Sequence, residues 1–176
     1  MRGPWTSGGI EFNFGSIGHA PTTATPVDYH IQNNPDGSVS CFVGAIELTS
    51  RTEWRVEIRL PADKAWFETR SYWNNPTNLK TSLYHWQTAA ADVGDDLKYF
   101  YPGTAYIGHD GMASDWPVMS NGTDISLYTN SDYGSSHSYH VLGEYTDWFA
   151  GYYQNSDYGF GHWSRYPLIL IMRSLS

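Results

Sequence analysis

Short segments in which apolar and polar residues alternate, separated by residues that favour turns, run through most of this sequence. Residues 10–14 place three apolar side chains on one face of a strand and Glu11 and Asn13 on the other. Residues 53–60 alternate in the same way, with one charged face and one apolar face. Such segments recur at a spacing of roughly ten residues, which is typical of β-sandwiches and barrels. We therefore predict an all-β protein, either a sandwich or a barrel.

The remaining predicted strands lie between clusters of Gly, Pro, Asn and Asp. They cover residues 27–30, 38–48, 65–73, 83–87, 125–128, 138–142 and 148–153. Pro35-Asp36-Gly37 marks a turn, because proline fixes φ and glycine accepts a positive φ. No internal repeat and no linker interrupts this pattern. We expect a single domain over residues 1–176.

Composition supports this interpretation and excludes several classes of function. The chain is 16% aromatic and has 17 glycines and 9 prolines, as turn-rich β proteins do. Its formal net charge of −8 argues against a nucleic-acid partner, because phosphate binding needs clusters of Lys and Arg. No apolar run approaches the ~20 residues of a membrane span. We expect neither a nucleic-acid nor a membrane partner.

The number of cysteines and the sequence of the amino terminus indicate the cellular compartment. Cys41 is the only cysteine, so an intrachain disulfide and a cysteine metal site are both excluded. The start, MRGPWTSGG, lacks the apolar core of a signal peptide, which favours a cytoplasmic location. The motifs of serine hydrolases, phosphate-binding loops, dinucleotide-binding folds and zinc proteases are absent from the sequence. We predict no cofactor.

Residues 81–117 form the stretch richest in chemical groups. His85 and Trp86 lie inside a predicted strand, and an acidic turn follows them. The pair His109-Asp110 and the pair Asp115-Trp116 come next, between glycines and prolines. Polar groups carried by loops on a β scaffold commonly form binding or catalytic sites. We interpret this stretch as one part of a cleft for a sugar.

Carboxylates are the groups that glycoside hydrolysis requires. One carboxyl group protonates the leaving oxygen and another acts as nucleophile or base, about 5–9.5 Å away. Sequence spacing cannot choose between the acidic residues, because the pair can come from distant segments. The candidates are Glu11, Asp28, Glu68, Asp110, Asp115, Glu144 and Asp147.

Histidines and aromatic rings supply the other expected contacts. Beside Asp110, His109 is better suited to proton transfer than to metal binding. The pair His137 and His140 would point to opposite faces of a strand, which disfavours a metal site there. Eight tryptophans and fourteen tyrosines can provide apolar walls for sugar rings. Aromatic residues also suit strands in general, and both interpretations can hold.

Several segments together resemble an uncharacterised bacterial domain family that is often fused to tetratricopeptide repeats. The matching pieces are GPWTSGGIEFNF, TPVDY with NPDGS, NPT before the His85 strand, YPGTAYIGHDGMASDWP, SYHVLGEYTDWFAGY and HWSRYP. That family is similar to the galactose-mutarotase-like superfamily of antiparallel β-sandwiches acting on carbohydrates. The resemblance implies a concave sheet face as the sugar site. It also implies that Asn75-Pro76-Thr77 leads into a strand with an active-site histidine, His85, and that Glu11 lies on a neighbouring strand.

The resemblance also bears on completeness and assembly. Family members have further sequence before the GPW segment, and the match ends after Tyr166-Pro167. We therefore expect this chain to be a truncated part of a larger sandwich. A partial sandwich has open sheet edges, which predicts a homodimer.

Taken together, these patterns predict a glycoside hydrolase acting on a β-glucoside or a plant-type oligosaccharide. The expected catalytic residues are Glu11, Asp110, Asp115 and His85. The expected substrate-binding residues are Asn13, Trp86, His109, Trp116, His140 and Glu144. An aldose epimerase with a His/Glu acid–base pair and a non-catalytic carbohydrate-binding module are the alternatives.

Overall fold

Alternation of side chains along the chain does produce strands, and they pair into antiparallel sheets. The computed structural model describes residues 9–15, 20–107, 111–130 and 148–163, and for residues 84–86, 88 and 107 it describes the backbone only. Within these ranges the strands are β1 (Ile10–Gly15), β2 (Asp28–Asn33), β3 (Val39–Glu47), β4 (Thr52–Leu60), β5 (Glu68–Asn74), β6 (Tyr84–Ala89), β7 (Leu97–Phe100), β8 (Ala105–Ile107), β9 (Ala113–Asp115), β10 (Trp148–Tyr153) and β11 (Tyr158–Trp163). The prediction of an all-β, sandwich-like fold is confirmed.

Helical structure is confined to two short 3₁₀ turns in the described ranges, Pro21–Ala24 and Tyr128–Asn130. No helix among the described residues is long and apolar enough to cross a membrane. The chain separates into two compact units, one from Glu11 to Trp86 and one from Gln87 onward that also takes in Gly9 and Ile10. The expectation of one domain over residues 1–176 stays a prediction.

The first unit contains a four-stranded antiparallel sheet in the order β2-β3-β4-β5. Hairpins join consecutive strands, and Gly37 in the predicted 35–37 turn has a φ of +81°. Asp36 accepts hydrogen bonds from the backbone and the hydroxyl of Ser38, which hold its pKa below the usual value. This turn joins β2 to β3 and fixes the register in which Asn33 faces Val39 and Asp28 faces Gly44.

One face of this sheet carries the apolar core of the unit. Phe14 from β1 stacks on Trp54 with ring centroids 5.4 Å apart and an interplanar angle of 7°. Val56 is fully buried beside them. The partly buried residues packed around this cluster are Phe12, Val43, Ala45 and Trp73. The apolar face of β1 therefore packs on the sheet, and β1 also pairs with β6.

The second unit has its own sheet, in the order β11-β10-β7, and the β8-β9 hairpin. Its core is rich in aromatic residues, with Trp116 and Tyr101 tilted against each other at a centroid distance of 5.8 Å. The other buried members are Leu97, Tyr99, Tyr106, Ile125, Phe149 and Tyr153. Each unit thus buries apolar side chains of its own.

Several stretches differ from the sequence prediction, which did not include the strands β7, β8 and β9. Residues 125–128 were expected to be a strand, but the chain turns there, because Asp124 Oδ1 accepts hydrogen bonds from both the backbone and the hydroxyl of Ser126. Strand β11 was not predicted, because its glycines weaken the strand signal. In the structure the Phe160 ring covers its cross-strand partner Gly151, where an added Cβ would lie 2.4 Å from the ring. The strands predicted at 138–142 lie outside the described residues.

Tyr153 gives the second unit a pH dependence that can be measured. Burial, with neighbouring Tyr99 and Asp92 adding to it, raises the pKa of Tyr153 to about 12 from an ordinary value of 10.0. The unfolded chain therefore releases this proton first, and the free energy of unfolding should fall as the pH rises from 10 to 12. Urea titrations at several values of pH in this window should show a shallower decline for Tyr153→Phe. Phe149→Leu alters the same core without removing an ionisable group and should keep the wild-type slope. An equal slope in Tyr153→Phe would contradict the assignment.

Candidate functional site

The polar face of β1 carries two buried residues that sequence alternation brings together. Glu11 is 3% exposed and Asn13 is 0% exposed. They are two residues apart on a strand, so their side chains leave the same face. The opposite face of β1 is occupied by Phe12 and Phe14 in the apolar cluster. Both faces of β1 are therefore covered, and a carboxylate lies inside the first unit.

Asn13 holds the carboxylate of Glu11 in place. Its Nδ2 donates to Glu11 Oε1 over 2.6 Å. Its Oδ1 accepts two hydrogen bonds, from the backbone N–H of Ala20 and from the hydroxyl of Thr23, both at 2.8 Å. The two acceptor bonds define which end of the amide is oxygen, so the donor end must point at Glu11. Asn13 thus acts in the structure as a positioning residue for Glu11.

A carboxylate that is buried and oriented in this way is costly unless it is hydrogen-bonded. The bond from Asn13 to an ionised Glu11 is charge-assisted and stronger than a bond between neutral groups. The 3₁₀ turn Pro21–Ala24, which supplies Thr23, keeps the amide from rotating. Chemically, the arrangement can present one carboxyl group with a fixed direction, as a general acid, a general base or a nucleophile requires.

His85 belongs to the strand next to the Glu11 strand. β6 carries His85 and Trp86, and β1 and β6 are hydrogen-bonded neighbours. The side chains of these two residues are not among those described, so their contacts with a ligand stay a prediction. Four further predicted site residues lie outside the described residues altogether, namely His109, Asp110, His140 and Glu144.

The second unit holds the remaining predicted residues. Asp115 ends β9 and is exposed. Trp116 is 5% exposed, and its indole N–H donates to the carbonyl of Tyr101 over 3.2 Å. Packing inside the aromatic core accounts for this ring, and a role in stacking on a sugar stays a prediction.

Sequence reasoning missed Thr23 and Glu57. Thr23 lies ten residues from Asn13 across a loop, and only the fold brings them together. Glu57 is 8% exposed on the polar face of the four-stranded sheet, where its Oε1 accepts from Ser40 at 2.7 Å and its Oε2 from Tyr72 at 3.4 Å. Across the described residues, no group of three His, Cys, Asp or Glu side chains is arranged to hold a metal.

Comparison with known families places this site within one of them. The sequence model of a family described as a domain of unknown function, DUF5107, matches residues 1–168. The chain belongs to the DUF5107 family. The part of the chain that matches DUF5107 contains Glu11, Asn13, Thr23 and every strand of the described ranges. No solved structure matches the chain. The expected resemblance to an uncharacterised domain family is thus confirmed for DUF5107.

Replacing Thr23 by valine tests whether the amide of Asn13 is held as described. The change keeps the shape of the side chain and removes the donor to Asn13 Oδ1, so the free energy of unfolding should fall by about 1 kcal/mol. Chemical denaturation measures this loss. Thr22→Val in the same 3₁₀ turn is the matched control, because the hydroxyl of Thr22 makes no side-chain hydrogen bond in the described part of the chain. Equal stability of the two variants would refute the role given to Thr23.

Proposed function

We propose that this DUF5107 chain is a glycoside hydrolase acting on a β-glucoside or a plant-type oligosaccharide, with Glu11 as one of its two reactive carboxyl groups. The observation that carries the proposal is the Glu11 carboxylate, buried on β1 and fixed in direction by Asn13. Sugar-cleaving enzymes need a carboxyl group held in one orientation and shielded from bulk water. Membership of the galactose-mutarotase-like superfamily, which the sequence resemblance implies, is part of the same proposal.

In the proposed reaction, one carboxylic acid donates its proton to the glycosidic oxygen as the bond from that oxygen to the anomeric carbon breaks. The second carboxylate either attacks the anomeric carbon or removes a proton from the attacking water. Glu11 takes one of these roles, and Asp110 or Asp115 takes the other. His85 and His109 bind hydroxyls or carry protons, with His140, Glu144 and Trp86 as further sugar contacts.

An aldose epimerase is the second candidate, and one observation favours it. The Glu11 strand and the His85 strand are neighbours in one sheet. A carboxylate and an imidazole on adjacent strands can act as base and acid in ring opening and closing, which moves a proton between the anomeric hydroxyl and the ring oxygen. Proton NMR of anomer interconversion in glucose and galactose would distinguish this activity from the release of reducing sugar.

Glu11→Gln tests the proposed hydrolase directly. The amide keeps the size of the side chain but cannot donate or accept the catalytic proton, so turnover of nitrophenyl glycosides should fall by about 10²–10⁴-fold. The matched control is Glu47→Gln, because Glu47 is also a buried glutamate on a strand, 2% exposed, and is not assigned to the site. Activity retained in Glu11→Gln, or lost equally in both variants, would remove Glu11 from the role.

We also propose that the protein forms a homodimer through β2. This strand is an edge of its sheet, and all six of its residues are exposed. It carries two apolar side chains on one face, Tyr29 at 73% exposure and Ile31 at 59%. It has no lysine, proline or bulge of the kind that protects open edges. The other edge, β5, carries the Arg70–Glu68 ion pair.

The β2 sequence is suited to pairing with itself. In an antiparallel pair of two copies centred on His30, Tyr29 of one copy faces Ile31 of the other on the same side of the joined sheet. Cross-strand pairs of an aromatic and a β-branched residue stabilise such ladders. The second copy also supplies partners for the backbone groups of the edge.

Ile31→Lys should convert the dimer into a monomer, because two buried like charges would approach across the dyad. Light scattering at micromolar concentration measures the change in mass. Leu48→Lys introduces the same charge at a position that is 82% exposed in the turn after β3, and this variant should remain dimeric. A wild-type protein that is monomeric under these conditions would contradict the proposed interface.

A further inference from the structure

The polar face of the four-stranded sheet contains an open trough of about 580 Å³. Its floor is β3, where Phe42, Gly44 and Ile46 point to this face and expose a strip of apolar surface. Because Gly44 has no side chain, the strip is lowest at its centre. Five positions along β3 span about 13 Å. The trough is separate from Glu11, whose strand packs on the other face of the sheet.

Polar residues form both walls of the trough. β2 supplies Asp28 and His30, and β4 supplies Glu53 and Arg55. Gly44 is the direct neighbour of Asp28 on one side and of Arg55 on the other. Two strand spacings separate the walls, which is about 10 Å between backbones. An acidic group and a basic group thus face each other across a floor without a side chain.

The hydrogen-bonding groups of these walls are available to a ligand. Within the part of the chain that the structure describes, Asp28, His30 and Arg55 are all exposed and make no side-chain hydrogen bond or ion pair. Other arginines of the same sheet behave differently, since Arg59 pairs with Asp36 and Arg70 pairs with Glu68. The trough therefore combines unpaired donors and acceptors with an apolar floor.

We propose that this trough binds a neutral oligosaccharide of two or three sugar units. A pyranose ring has an apolar C–H face, which suits the strip of Phe42, Gly44 and Ile46, and hydroxyls around its rim, which suit polar walls. The length of the floor accommodates a short chain of rings. The walls carry both negative and positive side chains, and the protein has a net charge of −8, so an acidic sugar is disfavoured. The ligand class is argued from the apolar floor and the polar walls of the trough. The proposed hydrolase guides only which sugars are tested.

Saturation-transfer NMR and calorimetry with cellotriose, maltotriose and xylotriose test the proposal. The dimeric state of each variant is checked first by light scattering. Wild-type protein should bind at least one of the three sugars, and Glu11→Gln should bind it equally well. Asp28→Ala and Arg55→Ala should each raise the Kd by about tenfold, as expected for the loss of a hydrogen bond to a charged group. Arg70→Ala is the control, since Arg70 lies on the same sheet but outside the trough.

The outcomes separate this inference from the proposed hydrolase. Loss of oligosaccharide binding in Asp28→Ala and Arg55→Ala, with intact hydrolysis of nitrophenyl glycosides, would support both the sugar-binding trough and the hydrolase. Binding that is unchanged in these two variants but lost in Glu11→Gln would overturn the trough and leave the hydrolase standing. Absence of binding to all three sugars would overturn the trough. Binding without any hydrolysis would overturn the hydrolase alone.

Discussion

The stacking of Phe14 on Trp54 determines which way β1 faces. A strand alternates its side chains, so burying Phe12 and Phe14 against the sheet forces Glu11 and Asn13 to the other side. A stacked pair of this kind contributes about 0.5–1.5 kcal/mol beyond the burial of its surface. A shift of β1 by one residue would place the carboxylate against tryptophan instead, at a large desolvation cost. The candidate catalytic group is therefore held by an apolar contact in which it takes no part.

The cost of burying Glu11 is offset by hydrogen bonds that depend on the segment following β1. The 3₁₀ turn after β1 brings the hydroxyl of Thr23 and an N–H to the amide of Asn13, and that amide then donates to Glu11. Each group in this series of hydrogen bonds provides a partner for the next, as a buried polar network requires. The trough on the far side of the sheet differs from this site, because its charged groups are exposed to water instead of being buried and hydrogen-bonded. One unit thus combines a rigid polar site with an open, adaptable surface.

Most of the fold could be predicted from the sequence where alternation is regular, as in β1 and β4. The orientation of Glu11 and Asn13 followed from the same pattern. The turn at Ser126 could not be predicted, because it depends on hydrogen bonds to the Asp124 side chain that compete with strand pairing. Thr23 and the trough were missed for a different reason. Both arise from contacts between segments far apart in sequence, and hydrophobic periodicity contains no information about which strands become neighbours.

Gly44 lies on the trough face of the first sheet, but its position is constrained by the core on the other face. A Cβ at this position would lie 2.7 Å from the backbone oxygen of Trp54, and the ring of that tryptophan carries Phe14. Any larger residue at position 44 would therefore press on the backbone of β4 at the tryptophan against which β1 packs. Side chains can therefore vary at the wall positions on β2 and β4, whereas position 44 is constrained by the core behind the sheet.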